Sequence, residues 1–254
     1  MTKIILWALA IGIAAAVLVP NLAIRFPEIA GLIGTPAPAG AARTLTPPWP
    51  PATSQATTVS GDLFAPNYYV VLDASGSMGN RGCSGEQTKL EVAKAALASF
   101  AASLPANANL GLQVFDRRGV NEWLPFGANN REQFAALLGK VSADGGTPLL
   151  NAVTQAYARL LAQGRRQLGY GEYHLVIVTD GDADKGQDPT PVVNSLLQES
   201  PIVMHTIGFC IDSNHALNQA GRTIYKAADN PQALRQGLSD VLAEAPQFSV
   251  TKFK

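Results

Sequence analysis

Three short segments carry oxygen-bearing side chains in patterns that suit the binding of a hard cation. The first is Asp73-Ala-Ser75-Gly-Ser77, in which a carboxylate and two hydroxyls alternate with small residues, so that one tight loop can direct three oxygens to one place. The second places Thr147 in Gly-Gly-Thr-Pro, and the third places Asp180 in Thr-Asp-Gly. Two carboxylates would balance a divalent charge, and such oxygens suit Mg²⁺, Mn²⁺ or Ca²⁺ better than zinc or copper.

Each segment also has an ordinary structural interpretation. Serine and glycine after a strand are typical of turns. Thr147 stands where the N-cap hydroxyl of a helix belongs, and that role alone would explain it. An aspartate at the end of a strand, such as Asp180, can simply start a turn. The cation hypothesis therefore depends on the fold bringing the three segments together.

The apolar residues predict strands and helices that alternate along the chain. Strands are predicted at 68–72, 110–115, 175–179, 202–209 and 222–226, with a short edge strand at Glu122–Leu124, and helices at 89–104, 131–141, 148–161, 191–199 and 231–244. This alternation is typical of a doubly wound α/β fold, a mainly parallel sheet with helices on both faces. Ligands bind such folds beyond the carboxyl ends of the strands. Asp73 and Asp180 both fall there.

The three motifs, in this order and on these elements, resemble the von Willebrand factor type A domain. They correspond to its metal-ion-dependent adhesion site, and the resemblance covers roughly residues 66–245. It implies a Rossmann-like, six-stranded sheet with one short antiparallel edge strand, which Glu122–Leu124 would supply. The resemblance also implies a binding domain rather than an enzyme.

The same resemblance assigns a role to each site residue. It implies that the hydroxyls of Ser75, Ser77 and Thr147 bind the metal. It implies that Asp73 and Asp180 act directly or through water, with Mg²⁺ as the usual ion and Mn²⁺ or Ca²⁺ as alternatives. An Asp or Glu of a partner protein completes the coordination in that family.

The best competing chemistry is a serine hydrolase. Ser77, Asp180 and His215 follow the order of the α/β-hydrolase triad. However, the nucleophile elbow needs Gly-x-Ser-x-Gly, and Ser75 stands where the first glycine should be. His215 is more simply interpreted as an exposed polar side chain near a helix start. We therefore expect no enzymatic activity.

The two cysteines and a run of acidic residues lie near the same predicted edge. Cys83 follows the first motif and Cys210 ends a predicted strand, so in an exported protein they are a candidate disulfide that would brace the metal loop. The alternative is two unrelated thiols. Residues 180–186 hint at a calcium loop, but the glycine and the last ligand position do not fit, which favours solvated loop acids.

The N-terminus predicts export. Residues 4–19 contain no charge, and Pro20 and Asn21 then interrupt the apolar run. We interpret residues 1–25 as a hydrophobic helix that anchors the chain, with a cleaved signal or a core helix as alternatives. Residues 26–65, rich in Pro, Thr and Ala, would be a linker in which Trp49 centres either a plain spacer or a recognition motif, and residues 66–254 would form the domain.

Composition excludes some functions. The 254 residues carry 19 basic and 19 acidic side chains, so there is no basic excess for nucleic-acid binding. Two cysteines are too few for a cysteine-only zinc site. We expect a single-pass membrane protein, or a secreted one if the leader is cleaved, whose domain lies on the periplasmic or extracellular side. It would mediate metal-dependent adhesion to a partner protein; the alternative is an accessory subunit that docks permanently through the same surface.

Overall fold

The computed structural model describes residues 48–54 and 56–243, all within one compact unit, Thr46–Lys254. The predicted hydrophobic helix at residues 1–25 lies outside the described residues. Within the described ranges, no helix has the length and apolar content needed to cross a membrane.

A six-stranded sheet forms the centre of the domain. The strands are β1 (Asn67–Asp73), β2 (Asn109–Asp116), β3 (Gly119–Gly127), β4 (Tyr173–Thr179), β5 (Val203–Phe209) and β6 (Ile224–Ala228). Their order is β3-β2-β1-β4-β5-β6, and every neighbouring pair is parallel except β2 and β3. β1 and β4 are buried along their whole length, as their continuous apolar sequences predict. The predicted mainly parallel sheet is confirmed.

Five α-helices of the described part of the chain cover the two faces of the sheet. They are α1 (Lys89–Ser103), α2 (Arg131–Lys140), α3 (Leu149–Arg166), α4 (Thr190–Glu199) and α5 (Pro231–Ala243). Side chains of α1, α2 and α5 form one core with the sheet, and those of α3 and α4 form a second core on the other face. α1 begins with a capping box in which Thr88 and Glu91 each accept a hydrogen bond from the other's backbone N–H. This cap fixes the position of Lys89, the first helical residue.

Several boundaries differ from the predictions. The antiparallel edge strand β3 has nine residues, whereas only Glu122–Leu124 is predicted, because one side of the strand is poorly covered and its apolar pattern is weak. α3 continues five residues beyond the predicted end at Leu161. Its last turns bury Gln163, whose amide donates to Asn67 Oδ1 at 3.0 Å, so a polar residue occupies the buried face and interrupts the periodicity.

The proline-rich segment contacts the domain through Trp49. Its ring packs edge-on against Tyr173 at 4.6 Å between centroids and covers Gly164 of α3, where a Cβ would overlap the indole. Farther along, the Ser60 N–H donates to the Arg166 carbonyl at 2.7 Å. Part of the predicted linker is therefore held at the end of the sheet where β1 begins.

Candidate metal site

The sheet places the first and third motifs side by side. Asp73 is the last residue of β1, and Asp180 directly follows β4. β1 and β4 are neighbouring parallel strands, paired from Asn67 with Tyr173 to Leu72 with Val178. Both carboxylates thus emerge at the carboxyl edge of the sheet, which we call the rim.

Short hydrogen bonds connect these two motifs. Ser75 Oγ lies 3.0 Å from Ser77 Oγ, and Ser77 Oγ donates to Asp180 Oδ1 at 2.7 Å. Asp73 accepts from the Ser75 N–H at 2.7 Å on Oδ1 and from the Thr179 hydroxyl at 2.6 Å on Oδ2. Four of the five predicted residues therefore share one continuous network. Thr179 is a participant that the sequence analysis missed, although it belongs to the Thr-Asp-Gly motif.

The loop that carries Thr147 is attached to the other two motifs. The Gly76 N–H donates to the Gly145 carbonyl at 3.0 Å, and the Asp144 N–H donates to the Ala74 carbonyl at 2.8 Å. Gly145 has φ +95, and a Cβ there would collide with the backbone of Arg117, so only glycine fits. These contacts hold the loop of Thr147 against the Asp73–Ser77 loop at the rim.

Thr147 does not cap α3. Pro148 occupies the N-cap position, which has no side-chain cap bond. A Cβ on Gly181 would lie 3.8 Å from Thr147 Oγ1 and 3.9 Å from Ser77 Oγ, so the two hydroxyls border the same glycine. The Thr147 hydroxyl therefore lies beside the network formed by the other four predicted residues.

Asp184 holds Thr147 in position. Its Oδ2 accepts from the Thr147 N–H at 2.8 Å, and its own N–H donates to the Thr147 carbonyl at 3.0 Å. The sequence pattern favours solvated acids at residues 180–186. Asp182 fits that description, since its side chain is 84% exposed, but Asp184 has this structural role as well.

Burial makes the charged form of the carboxylates at the rim less favourable. Asp73 is fully buried, and desolvation raises its pKa to about 6, while the hydrogen bonds from Ser75 and Thr179 lower it and the nearby charge of Asp180 raises it further. Two carboxylates in this setting favour a nearby positive charge.

The structure supplies one positive charge that the sequence analysis missed. Lys89 Nζ lies 2.6 Å from Asp180 Oδ2, and the two side chains are 12% and 0% exposed. Asp180 thus contacts Ser77 with one oxygen and Lys89 with the other. Sequence spacing gives no signal for this pair, because the two residues are 91 positions apart and meet only through the fold.

The geometry does not support the hydrolase alternative, and His215 is not exposed as predicted. His215 is 7% exposed; its Nδ1 accepts from the Leu217 N–H at 3.1 Å and its Nε2 lies 3.0 Å from the Gly181 carbonyl. Because Nδ1 is an acceptor, Nε2 carries the hydrogen and donates a hydrogen bond to the Gly181 carbonyl. Both ring nitrogens are engaged, and Ser77 donates to Asp180 instead of to a histidine.

A disulfide joins Cys83 and Cys210, with 5.5 Å between their Cα atoms. Cys83 lies in the short 3₁₀ helix Gly82–Ser84 that follows the Asp73–Ser77 loop, and Cys210 directly follows β5. The bond connects two loops at the rim across a sequence separation of 127 residues.

The donor chemistry of the rim fits a hard divalent cation. Three hydroxyls and two carboxylates supply only oxygen, the ligand type that Mg²⁺ and Ca²⁺ take in proteins. No group of three or more His, Cys, Asp or Glu side chains suited to a metal occurs among residues 48–54 and 56–243. The Lys89 ammonium places a positive charge beside Asp180, as a bound cation would.

Comparisons with known proteins agree with the fold. Residues 68–182 match the family model of the von Willebrand factor type A domain. The uncharacterized protein YwmC of Bacillus subtilis (strain 168) is 29% identical over 158 residues; the match covers 56% of this chain and 66% of YwmC.

Solved structures show the same fold. The conserved hypothetical protein BatB from Bacteroides thetaiotaomicron is 18% identical with a TM-score of 0.55, covering 71% of this chain and 100% of that one. A von Willebrand factor type A protein from Catenulispora acidiphila is 17% identical with a TM-score of 0.54, covering 71% and 42%. Residues 68–182 are thus similar to the von Willebrand factor type A domain, a class that generally mediates protein–protein interaction and is generally not enzymatic.

Proposed function

We propose that this chain is an exported, membrane-tethered interaction protein whose rim binds Mg²⁺ and, through that ion, an Asp or Glu side chain of a partner protein. Ser75, Ser77 and Thr147 would hold the ion with their hydroxyls, and Asp73 and Asp180 would act directly or through water. Mn²⁺ and Ca²⁺ have the same preference for oxygen ligands. A bound ion would supply the positive charge that accepts the partner's carboxylate.

One observation carries this proposal: side-chain oxygens from three distant segments lie near one another at the rim. The network from Ser75 through Ser77 to Asp180 has oxygen separations of 3.0 and 2.7 Å, and Thr147 Oγ1 and Ser77 Oγ border the same glycine. Turn formation or helix capping would not require this convergence. Backbone hydrogen bonds between the loops position the oxygens in advance, which reduces the entropic cost of binding.

The chemistry of the residues assigns them separate tasks. The Thr179 hydroxyl and the Ser75 N–H orient the Asp73 carboxylate. Asp184 positions Thr147 by two hydrogen bonds to the Thr147 backbone. The Asp184 carboxylate accepts from the Thr147 N–H, and the Asp184 N–H donates to the Thr147 carbonyl. Loops around the rim, with exposed acids such as Asp182, would determine which partner surfaces approach closely.

The proposed location rests on the sequence. The uncharged run at residues 4–19 has a length close to the minimum for a membrane anchor. The Cys83–Cys210 disulfide supports an oxidising compartment outside the cytoplasm. We place the domain on the periplasmic or extracellular side, tethered through the N-terminal segment.

Isothermal titration of the full-length chain in detergent tests the metal site. Mg²⁺ should bind at one site in the wild type, and Asp180→Ala should abolish that binding, since it removes one of the two carboxylates. Asp182→Ala is the matched control, because it removes a neighbouring acid whose side chain is 84% exposed. Equal binding by the wild type and Asp180→Ala would reject the assignment.

Co-purification from membranes tests the interaction. A partner that binds through the metal should be recovered with the wild type in Mg²⁺, and should be lost in EDTA and with Asp180→Ala. A partner retained in all three conditions would instead identify a permanently docked accessory subunit. Ester hydrolysis that is independent of metal and lost with Ser77→Ala would support a hydrolase.

A further inference from the structure

Lys89 is held against the proposed metal ligands by the local structure. It is the first residue of α1, its N–H donates to the Asn80 carbonyl at 2.9 Å, and its Nζ reaches Asp180 Oδ2 at 2.6 Å. The end of its aliphatic chain packs at Gly82, where a Cβ would lie 3.0 Å from Lys89 Cε. The side chain is 12% exposed, so its ammonium contributes to the rim and is not a solvated surface charge.

The pair neutralises the buried carboxylate of Asp180. The Asp180 side chain is fully buried, and its second oxygen accepts a neutral hydroxyl hydrogen bond from Ser77. Removing one partner of a buried pair leaves an uncompensated charge, which strongly destabilises a protein. Lys89 therefore stabilises the rim while no cation is bound.

The same ammonium opposes a cation at the site. A divalent ion that uses Asp180 must approach within a few ångströms of Lys89, and two positive charges at that range repel each other. We propose that Lys89 is an internal competitor for the cation, which lowers the affinity of the rim for Mg²⁺. This inference rests on the proposed metal-binding function.

The affinity for Mg²⁺ tests the proposal directly. In titrations of the full-length chain at pH 8, Lys89→Met should bind Mg²⁺ at least about tenfold more tightly than the wild type, because it removes a unit charge close to the ion. Lys89→Arg, which keeps the charge, should stay near the wild-type affinity. Lys140→Met is the matched control: it removes an exposed lysine from the last turn of α2 and should leave the affinity unchanged.

Thermal unfolding provides a second measurement. In EDTA, Lys89→Met should unfold at a lower temperature than the wild type, because Asp180 loses its counter-ion. Mg²⁺ should then raise the Tm of this variant more than that of the wild type. Lys89→Gln, whose amide can still donate to Asp180, serves if Lys89→Met does not fold without metal, and it should show the same difference.

The outcomes separate this inference from the proposed function. If the wild type binds Mg²⁺ at the Asp180-dependent site and Lys89→Met binds equally or more weakly, then the competitor role is wrong and the metal site stands. If neither the wild type nor the two neutral Lys89 variants bind Mg²⁺, both the function and the inference are overturned. An increase in affinity with Lys140→Met equal to that with Lys89→Met would also overturn the inference, because it would reflect net charge alone.

Discussion

Acidification should destabilise the domain through a pair of histidines buried inside the sheet. His174 on β4 and His205 on β5 are each 2% exposed, and His174 Nδ1 lies 3.3 Å from His205 Nε2. The ring of His174 stacks on Tyr68 with 4.7 Å between centroids. Burial lowers the pKa of His174 to about 4, and burial together with the charge of His174 lowers the pKa of His205 to about 3.

The sign and size of the effect follow from these values. Both folded-state pKa values lie below the ordinary value of 6.5, so the unfolded chain takes up protons first as the pH falls. Stability is complete above pH 6.5 and is lost progressively below it. At pH 5 each histidine contributes about 2 kcal/mol of destabilisation and the pair about 4 kcal/mol, since one pKa unit corresponds to about 1.4 kcal/mol. That loss is a large fraction of the stability of a typical domain.

Urea denaturation of the full-length chain at pH 7.5 and pH 5.0 measures this loss, with EDTA present to exclude metal effects. The matched variant is His174→Gln/His205→Gln, which has no charge at these positions at either pH. Carboxylates such as Glu172, whose Oε2 lies 3.6 Å from His174 Nε2, titrate in both proteins, so the difference between the proteins isolates the histidines. If both proteins lose the same free energy of unfolding between the two pH values, the reasoning is refuted.

Three further predictions concern structures that hold the domain together. Replacing Cys83 and Cys210 together by Ala should lower the free energy of unfolding by about 2–5 kcal/mol, because the disulfide closes a long loop of the unfolded chain. Urea denaturation of the wild type and the double variant measures this loss. An unchanged denaturation midpoint would contradict the prediction. Trp49→Ala should cost about 1–3 kcal/mol by removing a partly buried indole from beside α3. Gly164→Ala should destabilise the wild type by about 1–3 kcal/mol through overlap with the indole, but should be tolerated in the Trp49→Ala background; additive effects in this double-mutant cycle would refute the contact.

The sheet and the rim can be predicted from the sequence because they depend on local patterns. β1 and β4 are continuous apolar runs that end in Asp73 and in Thr179-Asp180, and parallel strands must present such ends at the same edge. The predicted bounds of an element are wrong where a polar residue is buried together with its hydrogen-bond partner. α3 was predicted too short because Gln163 lies on its buried face and donates to Asn67.

Two features of the rim depend on tertiary contacts that no local pattern encodes. His215 was expected to be exposed, but the Leu217 N–H and the Gly181 carbonyl satisfy both of its ring nitrogens and permit its burial. The approach of Lys89 to Asp180 requires the start of α1 to lie beside the end of β4, which only the assembled sheet provides.

The position of β1 determines how a pulling force would act on the domain. The chain enters β1 at Asn67 and reaches the rim at Asp73, and β2 and β4 flank this strand on either side in parallel register. A partner that pulls on the rim against the N-terminal end of the chain would load β1 along its own axis. Both hydrogen-bond ladders would then resist in shear, all rungs together, and would not open one rung at a time. The contacts of Ser60 and Trp49 with α3 and β4 would yield first and absorb extension before the strand itself is stressed.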